Sequence, residues 1–429
     1  MATLLTMHEG PHTSPSDPIS TSPSLSASPS LSPSSEPPES PESSEAPGAV
    51  EAVEGERRAT WFELFCDLVF VAAVGQITRR ISAEPTLGSV AAAAALFVPL
   101  WWTWVLYAVR ANRADRDVTS HRLLTMAGLV AVCGLAVFVG GVGHSDSADT
   151  GFALSYLGAR LGVALLYALE ARRDRRLVPL LRSFATGSAL SALFWAGGAL
   201  LAPAGAVRYG IWAGGMAVDL AIPLLSGSRI ARAPHHSEHL RERFGLFTII
   251  VLGESVLGFT NGLVQARTAG SAMVTGAAAF ALCACLWWSY FSASGTRPGA
   301  HAELADSPRL LNTYVLGHLP VQLGLAVAGG AVGTAVLGSG SRLTTALALC
   351  VLGGVALFLV STAAVRVAFT GVGDPVVRLR LVTALLIAAL VPAAGRAPVW
   401  AMLAGPALLL ALSVAAEAPS HRRRVAEAG

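Results

Sequence analysis

Glu63 and Asp67 lie four residues apart in the run WFELFCDLVFVAAVGQ, whose other members are almost all apolar. Residues i and i+4 share a helix face, which puts both acids on one side and Asp67 about 9 Å in from Trp61 at 1.5 Å per residue. A second run, ERFGLFTIIVLGESVLG, carries Glu254 about 17 Å beyond Arg243. Asp219 precedes Pro223 by four residues, and Arg160 is central in its own apolar stretch. Gln76, nine residues beyond Asp67, joins the face of Asp67 only if the helix opens near Gly75. A charge at the centre of a hydrocarbon layer costs roughly 2.5–3.5 kcal/mol, so Asp219, Glu254 and Arg160 are expected to face protein. Two chemistries use such groups: ion pairs that lock helices together, and polar paths that pass an ion or a small solute. Arg160 is expected to pair with a carboxylate. Asp67 and Glu254 are expected to line a path, because carboxylates outnumber Arg160 as the cation within a span.

Other constellations are weaker. Glu242 belongs to a group with His235, His236, Glu238 and His239. This group lacks the HExxH spacing of a zinc peptidase and reads as a titratable, solvated loop. No phosphate-binding glycine loop, nucleophile elbow or dinucleotide fingerprint is present. The sequence therefore points to no enzyme, no catalytic residues, no cofactor and no metal. Cys66, Cys133, Cys283, Cys285 and Cys350 all fall in apolar runs, where free cysteine behaves as a small hydrophobe.

The elements that must position these residues follow from composition. Of 429 residues, 53% are hydrophobic and 13% charged, and the mean hydropathy is +0.58. Soluble domains carry about 25% charged residues, so this chain lacks the polar surface to face water and must lie in a bilayer. Residues 1–56 differ: between Pro11 and Val50, 24 of 40 residues are Ser or Pro. Residues 1–56 hold nine acids and no Arg, and too little apolar surface to order themselves; they are expected to be a disordered tail. From Trp61 on, apolar stretches of about 20 residues recur, the length that spans hydrocarbon as a helix. Twelve are expected, at 61–78, 86–109, 122–142, 151–170, 177–201, 206–226, 243–262, 271–292, 310–336, 343–364, 379–395 and 398–416. With the N-terminus inside, 22 of the 30 arginines fall in inner segments and six in outer loops. The positive-inside rule then places both termini in the cytoplasm and the chain in the inner (plasma) membrane.

The two halves rhyme. Trp101-Trp102-Thr103-Trp104 has a counterpart in Trp287-Trp288-Ser289-Tyr290, Arg122-Leu123-Leu124 in Arg309-Leu310-Leu311, and Gly75-Gln76 in Gly253-Glu254. The fold expected is an all-α polytopic membrane protein of two parallel six-helix repeats, 57–228 and 229–429, about an axis along the membrane normal. Both aromatic clusters are expected to anchor at the membrane interface.

With these motifs in place, WFELFCDLVFVAAVGQIT at 61–78 and HLRERFGLFTIIVLGESVLG at 239–258 resemble the two signature segments of the low temperature requirement protein A (LtrA) family. The resemblance covers 57 to about 420, and makes Glu63, Phe65, Asp67, Gln76, His239, Glu242, Arg243, Gly253 and Glu254 motif positions. The family usually has Phe-Phe-Asp where this chain has Phe65-Cys66-Asp67. The resemblance implies a bacterial polytopic membrane protein and brings no biochemical activity with it. A fainter similarity links Phe65-Cys66-Asp67 to the Phe-Ser-Asp motif of a two-repeat, twelve-helix potassium channel family. Leu246-Phe247-Thr248 in the second half has no Asp to match it.

The expected function is transport of a small solute or ion along a path set by Glu63, Asp67, Gln76, Arg160, Asp219, Glu242 and Glu254. The alternative is a non-transporting membrane protein of cold or envelope adaptation, structural or sensory. The expected partners are the lipid bilayer and the small solute or ion, with no nucleic acid, since topology accounts for the basic excess; the sequence leaves the oligomeric state open.

Overall fold

Apolar runs bounded by Thr, Ser, Asp and Pro become helices whose first turns are capped by those residues. The computed structural model describes residues 60–112, 119–173, 175, 178–225, 237–266, 270–294, 304 and 307–426. The expected disordered tail, residues 1–56, lies outside the described residues, as do His235 and His236. Among the described residues there are twelve α-helices and no strand: α1 (Trp61–Ala83), α2 (Leu87–Ala111), α3 (Thr119–Phe138), α4 (Asp146–Arg173), α5 (Val178–Leu200), α6 (Ala206–Leu225), α7 (Ser237–Gln265), α8 (Gly270–Ser294), α9 (Pro308–Leu337), α10 (Thr345–Thr370), α11 (Pro375–Ala388) and α12 (Val399–Ala426). At the start of α1 the Thr60 hydroxyl accepts from the Glu63 N–H at 3.3 Å. The Glu63 carboxylate accepts from the Thr60 N–H at 2.8 Å, a reciprocal pair that satisfies two otherwise orphaned donors. Thr86, Ser307, Thr344 and Asp374 cap α2, α9, α10 and α11 in the same sense.

All twelve expected stretches are helical. Ten helical segments are long and apolar enough to cross a membrane, with α11 reaching that length only together with the 3-10 turn that ends at Ala393. The other two, α5 and α6, have 23 and 20 residues but are less apolar. Arg182 and a run of Ser and Thr dilute α5, and Arg208 and Asp219 dilute α6.

At the centre lies α9, packed on α7, α10 and α1. Glycines allow the close approach. A Cβ on Gly333 of α9 would come within 2.6 Å of the Gly258 carbonyl of α7, and one on Gly324 within 2.7 Å of the Gly354 carbonyl of α10. In the first half α3 packs on α4, α4 on α5, α5 on α6, and α1 on α2 and α3. In the second, α9 packs on α10, α10 on α11, α11 on α12, and α7 on α8 and α9. One strong pairing in the second half, α8 with α12, has no comparable α2–α6 pairing.

The α1–α7 contact sets the frame for the site. Glu63 meets His239, Asp67 meets Arg243 and Gly75 meets Glu254. Rising number pairs with rising number, so the two helices run parallel.

Candidate functional site

The i, i+4 pair Glu63 and Asp67 on α1 faces a second i, i+4 pair, His239 and Arg243, on α7. Arg243 Nη2 donates to Asp67 Oδ1 at 2.7 Å. His239 Nε2 lies 3.3 Å from Glu63 Oε1, and Arg243 Nη1 lies 3.9 Å from Glu63 Oε2. Trp104 of α2 closes the junction, its Nε1–H donating to the same Asp67 Oδ1 at 2.9 Å. Its ring lies 4.9 Å from that of Phe244 and 4.2 Å from that of Phe247, centroid to centroid. Asp67 is 1% exposed and Arg243 2%. The charges are therefore held in a low-dielectric setting, where each unmade hydrogen bond is expensive.

Several are unmade. Asp67 Oδ2, Arg243 Nε and Nη1, and His239 Nδ1 have no hydrogen-bond partner among the described residues. Both donors that reach Asp67 fall on one oxygen. Native interiors leave few such atoms; three residues of one contact hold four.

The Arg160–Asp219 site is built differently. Arg160 Nη2 of α4 donates to Asp219 Oδ1 of α6 at 2.5 Å and to the Ser188 hydroxyl of α5 at 2.7 Å. Asp219 Oδ2 accepts from the Tyr156 hydroxyl at 2.6 Å and from Ser191 at 2.7 Å. Both carboxylate oxygens are satisfied, and three helices are tied together. This meets the expectation that Arg160 pairs with a carboxylate.

The remaining expected residues lie apart. Glu254 is half-buried, with its carboxylate where a Cβ on Gly75 would stand, 2.8–3.0 Å away. Gln76 is half-buried and accepts from Arg79 Nε at 3.3 Å. Because α1 is unbroken through Gly75, Gln76 does not reach the face of Asp67. Glu242 sits on the rim of the junction, 3.7 Å from His239 Nδ1. Between Asp67 and Glu254 the facing positions of α1 and α7 are Phe70, Val74, Phe247 and Val251, all buried. The expected residues thus form three places: the junction, the Gly75 contact and the α4–α6 cluster.

Two expectations are corrected. Arg160 is not the one cation within the helices. Arg243 lies in the second turn of α7, which begins at Ser237, well before the apolar run. Arg110 is buried against Glu170 of α4, its Nε donating at 2.6 Å. Arg380 of α11 makes two 2.9 Å bonds to Glu417 of α12 and a 2.8 Å bond to the Ser289 carbonyl of α8. The first aromatic cluster is not an interfacial anchor either. Trp101, Trp102 and Trp104 are buried, whereas Trp287 and Trp288 are 47% and 60% exposed. Trp101 Nε1 donates to Gln322 Oε1 of α9 at 2.5 Å, and Gln322 Nε2 reaches Thr248 Oγ1 at 3.3 Å. Trp104 is the site residue that sequence reasoning passed over. Its i, i+3 spacing from Trp101, which puts both on one face, was the available signal.

The family model described as bacterial low temperature requirement A protein (LtrA) matches residues 58–416. A protein of Rhizobium meliloti (strain 1021), described as uncharacterized protein RA0937, is 30% identical over 330 residues, covering 72% of this chain and 76% of its own. No solved structure matches.

Proposed function

This chain belongs to the bacterial low temperature requirement A (LtrA) family, and from that premise we propose that it transports a small ion or solute past the α1–α7 junction. The observation that carries the reading is the incomplete satisfaction of Asp67, Arg243 and His239. A buried ion pair kept only to hold a fold gains from having every lone pair and proton matched, since desolvation otherwise exceeds the Coulombic gain. Arg160–Asp219 meets that standard and Asp67–Arg243 does not. One of the four unmatched atoms is on α1 and three are on α7, the helices that lead the two halves of the molecule. Such a contact can exchange a protein partner for a passing one.

The same reading takes 57–228 and 229–429 as two parallel six-helix repeats. Corresponding neighbours in the two halves support it: α1–α2 with α7–α8, α1–α3 with α7–α9, α3–α4 with α9–α10, α4–α5 with α10–α11, and α5–α6 with α11–α12. The parallel run of α1 and α7 fits a two-fold axis between them. The arginine distribution supports an inner-membrane location with both termini cytoplasmic. No catalytic role is assigned.

A second reading, a non-transporting protein of cold or envelope adaptation, is favoured by one observation. Glu63 is spent on the cap of α1, and polar groups elsewhere tie helices together. Reconstitution of the purified protein into liposomes, with a flux screen over ions and small solutes, separates the two. Transport predicts flux that Asp67→Asn abolishes. The second reading predicts none above empty liposomes.

A further inference from the structure

We propose that the ion handled at the α1–α7 junction is the proton, taken up at Asp67 Oδ2. The inference rests on the transport reading above and narrows its substrate class.

The charge inventory of the junction comes first. With His239 neutral, Glu63 and Asp67 bring two negative charges against one on Arg243, which leaves the buried set one positive charge short. Glu242 lies on the rim, 3.7 Å from His239 Nδ1. On α1 the other titratable neighbour is Cys66, buried between the two acids. On α2, Arg110 is already matched by Glu170 of α4, with His121 of α3 at 3.2 Å from its Nη2. On α3, Arg122 lies over the Phe62 ring of α1, 5.9 Å from its centroid. Within the set of Glu63, Asp67 and Arg243, one added cation would restore neutrality.

Donor geometry then chooses which cation. A metal ion needs converging lone pairs. The unmatched atoms here are one carboxylate oxygen, two guanidinium nitrogens that carry only N–H donors, and one imidazole nitrogen. Guanidinium hydrogens repel a metal ion. Among the described residues no three His, Cys, Asp or Glu are placed to hold one. An anion meets the opposite obstacle, because Glu63 and Asp67 stand beside Arg243. Closely packed Trp104, Phe244 and Phe247 rings leave little room for anything larger. A proton needs neither space nor converging ligands. It bonds to Oδ2, the carboxylate oxygen left unmatched, and removes the charge of Asp67.

A second exchange-capable set adjoins the first. His318 of α9 lies behind the Phe244 ring at 4.8 Å. Its Nδ1 faces the Tyr314 carbonyl at 2.7 Å and its Nε2 the Tyr290 hydroxyl at 3.1 Å. A proton on Nδ1 therefore leaves Nε2 as an acceptor. Arg241 is the charged group that borders this set. The path would thus pass between titratable groups on both sides of one aromatic ring.

The test uses the full chain in sealed liposomes loaded with the pH-sensitive dye pyranine, with valinomycin and potassium setting an inside-negative potential. The parent should acidify the lumen about tenfold or more faster than empty liposomes, at a rate unchanged when external sodium is replaced by choline. Asp67→Asn should lower that rate about tenfold or more. If Asp67→Asn is not monodisperse in detergent, Glu63→Gln and His239→Gln carry the decision in its place. Movement of rubidium, sodium or a neutral solute without a pH change would overturn the proton inference and leave transport standing. No movement of anything would overturn both. Proton flux that survives Asp67→Asn, or Glu63→Gln and His239→Gln together, would remove the junction as its route.

Discussion

Arg160–Asp219 and Arg243–Asp67 are both buried arginine–aspartate pairs between helices, and they differ in what surrounds them. Tyr156, Ser191 and Ser188 complete the first. The second has one strong bond between the charges, Trp104 on the same oxygen, and four polar atoms unmatched across it and His239. The first ties α4, α5 and α6 within one half, while the second joins the leading helices of both. Burial alone does not separate a structural charge from a functional one. Single unmatched atoms also occur at Arg208 and Arg380, so what sets the α1–α7 junction apart is four of them in one contact.

Stability should separate the two pairs most strongly. Asp219→Ala removes the acceptor for Arg160, Tyr156 and Ser191 and strands a buried guanidinium, which should cost about 3–5 kcal/mol. Unfolding in detergent, followed by circular dichroism against denaturant, measures it. Asp67→Asn should cost less, about 1–3 kcal/mol, because the carboxamide oxygen still accepts from Trp104. Equal losses at the two sites would erase the distinction.

Gly333→Ala probes the frame that presents α7 to α1. A Cβ there would press on the Gly258 carbonyl at 2.6 Å, and forcing the helices apart should cost about 1–3 kcal/mol in the same assay. Trp104→Phe keeps an aromatic ring and deletes the N–H donor to Asp67, at about 1 kcal/mol. Trp287→Phe, on an exposed ring of α8, should change nothing measurable.

The smallest effect lies outside the spans, at Asp374. Burial opposes its ionisation, but the Val376 N–H and the Arg366 guanidinium outweigh burial and hold the carboxyl below its ordinary 3.8. A depressed folded-state value means that the stabilisation is present above 3.8 and is lost as pH falls through the lower folded value. Asp374→Ala should cost about 1 kcal/mol at neutral pH, the usual worth of an N-cap, and the difference from the parent should vanish in strong acid. A difference that persists there would assign the effect to packing.

The helices were legible because hydrocarbon-spanning runs announce themselves without any tertiary knowledge. Their number and places follow from apolarity, and Arg160 had to find a carboxylate because an unpaired central charge is too costly. What was not legible depends on neighbours. Arg243 reads as a loop arginine because α7 extends from Ser237, ahead of the apolar run that marks a span. The tryptophan pairs of α2 and α8 are alike in sequence, but α2 lies against α1, α4 and α9 while Trp287 and Trp288 of α8 face outward. Local pattern sets where a helix runs, and only packing decides which of its faces is buried. The separation of Asp67 from Glu254 by Phe70, Val74, Phe247 and Val251 follows the same rule. Each is an ordinary apolar residue until the facing helix is known.

The most direct test of the central claim compares flux per folded molecule in liposomes for Asp67→Asn and Asp219→Asn, with the folded fraction of each measured by size-exclusion chromatography. Asp67→Asn should stay folded and lose about tenfold or more of the parent rate. Asp219→Asn should yield less folded protein, each molecule of which transports at the parent rate. Parent flux from folded Asp67→Asn, or lost flux from folded Asp219→Asn, would contradict that claim.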